Sequence, residues 1–214
     1  ELKYENVDAL KKGLINLERH IENIKKFGLN PIIAINHFVL DTKKEIKTIF
    51  DFCKNLKVEV SECQHWSKGS KGTEDLAKKV VKICKSSKKS KFKFLYKDNL
   101  KLWDKIDLIA KQIYRADKIT ASDEVKEQLA IFEKNGFAHL PVCIAKTQYS
   151  FSTDPKLKGA PLNHEIPIRE VRLSSGAEFI VAVCGSIMTM PGLPKTPAAD
   201  YIKLNKRGEI EGLF

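Results

Sequence analysis

Two short segments carry the side chains best suited to holding a flat ligand. They are Asn36-His37-Phe38-Val39-Leu40-Asp41-Thr42 and Glu62-Cys63-Gln64-His65-Trp66-Ser67-Lys68-Gly69. Each follows a short apolar run and sets one large aromatic, Phe38 or Trp66, beside a histidine. Two aromatic faces across a crevice can sandwich a heterocycle. On spacing alone, both rings packing beneath their own loops is the simpler reading. The glycine-rich turn Lys68-Gly69-Ser70-Lys71-Gly72-Thr73 precedes a helical pattern, where free amides can hold an anion. Without a ligand in view, a plain helix start explains that turn better. It is not a phosphate loop, because neither G-x-x-x-x-G-K-[ST] nor any Gly-Lys-Ser/Thr triplet occurs in the chain.

Other chemistries find less support. The five histidines, His20, His37, His65, His139 and His164, show no HExxH or HxH spacing. No G-x-S-x-G nucleophile elbow occurs. Cys53, Cys63, Cys84, Cys143 and Cys184 form no CxxC pair, and most sit in apolar runs. They are expected to be reduced and buried, in an intracellular protein. No metal site is expected, since ligand pairs at metal spacing are missing. No catalytic residue is assigned.

The elements that must position the two aromatics follow from hydrophobic periodicity. Val7, Leu10, Leu14, Leu17, Ile21 and Ile24 predict an amphipathic helix over 6–27, ended by Gly28. Residues 31–35 (PIIAI) are wholly apolar, as in a strand buried on both faces of a parallel sheet. A helix over 43–56 capped by Asp41 or Thr42, a strand over 58–61 and a helix from Thr73 to Cys84 follow. Further expectations are a strand over 92–96, helices over 100–114 and 122–134, and a strand over 140–145. Residues 146–164 read as a long polar loop, 165–173 and 179–184 as strands, and 185–199 as a loop with three prolines.

Strand–helix alternation predicts an α/β fold with a mainly parallel sheet and flanking helices, followed by a smaller α+β subdomain. The expected division is an α/β domain over 1–120 and a C-terminal subdomain over 121–214. If the first two strands are parallel, Phe38 and Trp66 both leave the carboxyl edge of the sheet, where open α/β sheets bind ligands.

Composition narrows the function classes. The chain has 214 residues, 43% hydrophobic, enough for a packed core. No apolar run approaches the roughly 20 residues that span a bilayer. The polar start, Glu1 to Asn6, does not resemble a secretory signal, and a start without Met suggests a trimmed chain. The net charge of +11 is carried almost wholly by lysine. Arginine, the residue suited to bidentate phosphate and base contacts, occurs only at 19, 115, 169, 172 and 207. A lysine-rich solvated surface is therefore expected rather than a nucleic-acid interface; such a surface could attract anionic substrates.

Several segments resemble formate–tetrahydrofolate ligases, in family order along the whole chain. They include NLERHIENIKKFG (16–28), AINHF with DT (34–42), WSKGSKG (66–72), GFAHLPVCIAKTQYSFSTDP (136–155), IPIREVRLSSGAEFIV (166–181) and IMTMPGLPKTPAA (187–199). The resemblance implies the C-terminal part of an enzyme that joins formate to tetrahydrofolate using ATP, through formyl phosphate. ATP with magnesium and tetrahydrofolate would be substrates of the whole enzyme, with no bound prosthetic group. It implies as partners an N-terminal P-loop domain and, for the whole enzyme, further copies in a homo-oligomer, with no nucleic acid and no membrane. A cytoplasmic location is expected.

Phe38 and Trp66 match the family's aromatics that bracket the folate ring. Val39-Leu40 stands where the family often has a proline-containing turn. The loop containing Pro191, Gly192, Leu193 and Pro194 is expected to line the cleft. Two other readings remain: a non-catalytic folate- or nucleotide-binding module, and a basic nucleic-acid-binding protein.

Overall fold

Short polar side chains cap the starts of three helices, through Asn6, Thr42 and Ser122. In the computed structural model, which describes residues 4–86, 91–146, 151–187 and 194–212, α1 (Val7–Lys26) opens with the Asn6 side chain accepting from the amide of Ala9 at 2.9 Å. A glycine ends it: Gly28 has φ 75°, and a Cβ there would lie 2.1 Å from the carbonyl oxygen of Lys91. Thr42 caps α2 (Lys43–Asn55) in a reciprocal box with Glu45. The same Glu45 carboxylate accepts from the amides of Thr42 at 3.0 Å and Asn6 at 2.9 Å, so one side chain ties together the starts of both helices. These backbone donors hold its pKa below the usual carboxylate range.

Strands β1 (Ile32–Asn36) and β2 (Glu59–Cys63) pair in parallel, Ile33 opposite Val60 and Asn36 opposite Cys63. On one face Ile35, Val60, Ile46 and Cys53 form a small core, with Leu17 of α1 and Ile49 and Phe50 of α2 packed against it. On the other face lies α4 (Glu74–Lys85), preceded by the four-residue α3 (His65–Lys68). None of the residues of α4 is buried.

The larger layer begins at α5 (Leu102–Gln112). It comprises β3 (Lys118–Ala121), α6 (Asp123–Lys134), β4 (Val142–Ala145), β5 (Glu165–Ser174) and β6 (Phe179–Cys184), with strand order β3-β5-β6-β4. β3–β5 and β4–β6 are parallel; β5–β6 is antiparallel. Leu102, Ile106, Leu129, Phe132, Ile166, Ile180 and Ala182 lie within one continuous core. Lys105 is fully buried in this layer. Its ammonium donates to the carbonyls of Ala138 at 2.7 Å and Leu140 at 3.0 Å and lies 5.6 Å from the centroid of the Tyr96 ring. A two-stranded hairpin, β7 (Lys203–Leu204) and β8 (Ile210–Glu211), lies near the C-terminus. The α/β class, mainly parallel pairing and flanking helices agree with expectation.

α1 joins the two layers. Asn23 Nδ2 donates to the carbonyl of Ile113 at 3.0 Å, and the Lys26 ammonium donates to that of Gln112. Both cations and amides here satisfy carbonyls left open at the end of α5.

Three expectations need correction. Residues 92–96 form no strand: Phe92 stacks on Phe27 with centroids 6.2 Å apart, Phe94 meets Phe92 edge-on, and the Tyr96 hydroxyl accepts from the amide of Val142 at 3.0 Å. The aromatic alternation there anchors an irregular segment instead. Cys84 and Cys143 are exposed, because α4 buries no residue and β4 is the outermost strand of its sheet; Cys53, Cys63 and Cys184 are buried as expected. The strand over 31–35 is not buried on both faces, since Ala34 is exposed and Ile32 and Ile33 are half-buried; β3 is a further strand in a stretch where sequence patterns predict none.

Candidate functional site

Parallel pairing of β1 and β2 brings their carboxyl ends to one edge. The amide of His37 donates to the carbonyl of Cys63 at 3.0 Å, so the two outgoing loops start side by side. After His37 the chain makes a tight turn. The Phe38 amide donates to Asp41 Oδ2 at 2.8 Å, and the Asp41 amide returns to the Phe38 carbonyl at 3.0 Å. That turn spends its polar groups internally and leaves Phe38, Val39 and Leu40 exposed, Phe38 at 62%.

Trp66 sits on α3 and is 54% exposed. Its indole N–H donates to the carbonyl of His37 at 2.6 Å. One ring is therefore tied to the backbone beside the other, across 29 residues of sequence. Both expected ligand-facing aromatics are thus at the carboxyl edge of one small sheet, and neither is core. An apolar patch of this kind on an otherwise polar edge marks a surface that binds something.

Beneath the aromatics lies a polar triad that sequence patterns did not single out. Glu62 Oε1 lies 2.7 Å from His37 Nδ1 and accepts from Gln64 Nε2 at 2.7 Å. No motif announces it, since the parallel register alone brings residues 37 and 62 together. His37 is thereby engaged with Glu62, whereas His65 is exposed.

The turn from Gly69 to Thr73 is a single 3-10 segment. Gly72 is required there, since a Cβ would lie 2.5 Å from the carbonyl carbon of Gln64, whose amide donates to the Gly72 carbonyl at 3.0 Å. Behind it, Ser61 Oγ donates to Asp75 Oδ2 at 2.6 Å and Lys79 donates to the same oxygen at 2.6 Å. Lys79, then Ser61, holds the Asp75 carboxyl below its usual range. This anchorage fixes the first turn of α4 against β2.

Elsewhere the buried Cys184 thiol and Tyr114 hydroxyl are held in their protonated forms, a poor state for a nucleophile. Burial pushes the Cys184 thiol up to about 12 and the Tyr114 hydroxyl up to about 12, and brings the Lys146 ammonium down to about 8. A thiol with so high a pKa is no thiolate at neutral pH. Among the described residues no three His, Cys, Asp or Glu side chains approach as metal ligands would. No helix among them is long and apolar enough to cross a membrane. Pro191, Gly192 and Leu193 lie outside the described residues, and Pro194 is exposed.

The sequence model of the formate–tetrahydrofolate ligase family matches residues 1–214. The chain is 58% identical over 214 residues to the formate–tetrahydrofolate ligase of Pelagibacter ubique, covering all of this chain and 38% of that protein. It is 54% identical over 214 residues to the Ruegeria pomeroyi ligase, again 38% of that protein. The Sphingobium sp. ligase is 54% identical over 209 residues, covering 98% of this chain and 37% of that protein. The chain therefore belongs to the formate–tetrahydrofolate ligase family and spans less than two fifths of the length of these relatives.

Proposed function

We propose that this chain supplies the folate-binding wall of an ATP-dependent ligase that joins formate to tetrahydrofolate, giving formyltetrahydrofolate, ADP and phosphate. The observation that carries the reading is the pair of exposed rings, Phe38 and Trp66, at one sheet edge in a member of this family. Phe38 and Trp66 would bind the flat pterin by its faces, and the Trp66–His37 hydrogen bond would hold the indole ready. That preorganisation lets binding energy go to positioning the folate amine against an activated formyl group.

ATP, magnesium and formate are assigned to the remainder of the enzyme, where a P-loop would cradle phosphates. The described residues offer no carboxylate cluster that would hold magnesium. We assign the Pro191–Pro194 loop to the cleft rim, and the whole enzyme to a cytoplasmic homo-oligomer. The 214-residue chain by itself should not turn over. Assayed with ATP, magnesium, formate and tetrahydrofolate, it should give no ADP; a rate of about one per second, ordinary for an enzyme, would overturn this.

The central test is calorimetric titration of tetrahydrofolate into the full-length enzyme carrying Trp66→Ala or Phe38→Ala. Stacking on an aromatic side chain is worth roughly 1–3 kcal/mol in the nucleic-acid case. Each variant should bind about tenfold more weakly or worse while keeping its melting temperature, since 1.4 kcal/mol is a factor of ten. Folded variants that bind like the parent would end the proposal and leave a non-catalytic module or another ligand as the reading.

A further inference from the structure

The two edges of the small sheet are not alike. The His37 amide points at the Cys63 carbonyl, so by strand alternation Val60 and Glu62 of β2 direct their peptide groups away from β1. The outward carbonyl of Val60 is taken by the Lys79 ammonium, which Asp75 holds at 2.6 Å. A charged side chain closing an outer carbonyl is how natural sheets protect a true edge. β1 is built differently. Ile32, Ala34 and Asn36 direct their peptide groups away from β2, and among the described residues no strand but β2 pairs with β1. Its sequence, Ile32-Ile33-Ala34-Ile35, is apolar on both faces, the composition of an interior parallel strand. Yet Ala34 is exposed and Ile32 and Ile33 are only half-buried.

Topology says what belongs there. α1 and α2 pack on the same face of the sheet, as Leu17 shares a cluster with Ile33, Ile49 and Phe50. Parallel crossovers are right-handed in nearly all cases. Successive right-handed crossovers with their helices on one face step across a sheet in one direction. The step from β1 through α2 to β2 fixes that direction, so a strand feeding α1 lands on the opposite side of β1, parallel to it. We infer that the free edge of β1 receives a third parallel strand, from the segment of the parent polypeptide that leads into α1. This rests on the ligase reading only in requiring a longer parent, and the chain covers 38% of relatives such as the Pelagibacter ubique ligase. A second copy fits less well: a two-fold dimer would set β1 against β1 antiparallel, between chains of net charge +11.

Residue-resolved amide hydrogen exchange tests the inference without reference to folate. The amides of Ile33 and Ile35 point to β2 and should be protected both in this chain and in the full-length polypeptide. The amides of Ile32, Ala34 and Asn36 should exchange freely here and on the order of 100-fold more slowly in the full-length polypeptide, within the range native sheets reach. Ala34→Pro removes only an outward donor, so in the full-length polypeptide it should speed exchange at Ile32 and Asn36 and spare Ile33 and Ile35. Equal, fast exchange of the outward amides in both proteins would overturn the inference. Protection that fades on dilution would overturn it too, by pointing to a second copy. Phe38→Ala and Trp66→Ala variants that bind folate like the parent, with the outward amides still protected, would leave this strand standing and remove only the aromatic-wall reading.

Discussion

The β1–β2 sheet and the four-stranded sheet are made from the same kinds of residue and are buried to very different degrees. The larger one is covered by α5 and α6 and encloses a continuous core from Leu102 to Cys184. The smaller one has four buried core residues, one exposed helix and one free edge, and it carries the aromatic patch. Exposed aromatics and an open edge cost local stability, so the layer that carries the aromatic patch leans on the other. α1 provides the support, through Asn23 and Lys26 on the end of α5.

Three measurements sharpen or break that contrast. The largest effect should come from Lys105→Ala in the larger layer. Lys105 satisfies two carbonyls while fully buried, and removing it leaves both without their donor. Chemical denaturation should show a loss of about 3–5 kcal/mol, since each orphaned buried group costs roughly 1–3 kcal/mol and a long packed stem goes as well. A loss under about 1 kcal/mol would mean that the larger layer does not depend on this lysine.

Ile46→Ala in the smaller core should cost about 2 kcal/mol, the low end for such a truncation, because a layer open on two sides can collapse around the gap. Hydrogen exchange should show the loss confined to β1, β2 and α2. A global loss equal to that of Lys105→Ala would show the two layers to be one cooperative unit.

The smallest effect concerns Asp75. Its folded pKa is depressed by Lys79 and Ser61, so its contribution is fully present above the unfolded value, near 3.9, and is lost as pH falls through the folded value below that. Melting temperatures followed from pH 5 down to pH 2 should fall less steeply in Asp75→Asn than in the parent. Parallel curves would remove Asp75 from the anchorage of α4.

Much of the fold was legible because the amphipathic stripes are clean. Leu14, Ile21, Ile46 and Cys53 are buried where the helical period puts them. Strand alternation misled at 92–96, where Phe92, Phe94 and Tyr96 pack on Phe27 and β4 rather than in a ladder. Neither period marks β3, four residues whose strand state is set by pairing with β5, 47 positions later. The place of Phe38 and Trp66 at the carboxyl edge could be read from the strands before them, but their exposure could not, since spacing alone favours rings packed beneath their own loops. The Glu62–His37–Gln64 triad could not, because only the register of two parallel strands brings it together.

The tie between Trp66 and His37 also gives the molecule an optical asymmetry. Only two tryptophans are present, Trp66 half-open to water at the candidate site and Trp103 packed against the larger core. The first should emit at longer wavelength and be quenched readily by acrylamide; the second should emit further to the blue and resist quenching. One excitation wavelength therefore reports on both layers, with the red component following whatever settles on the aromatic edge and the blue component following the integrity of the scaffold that carries it.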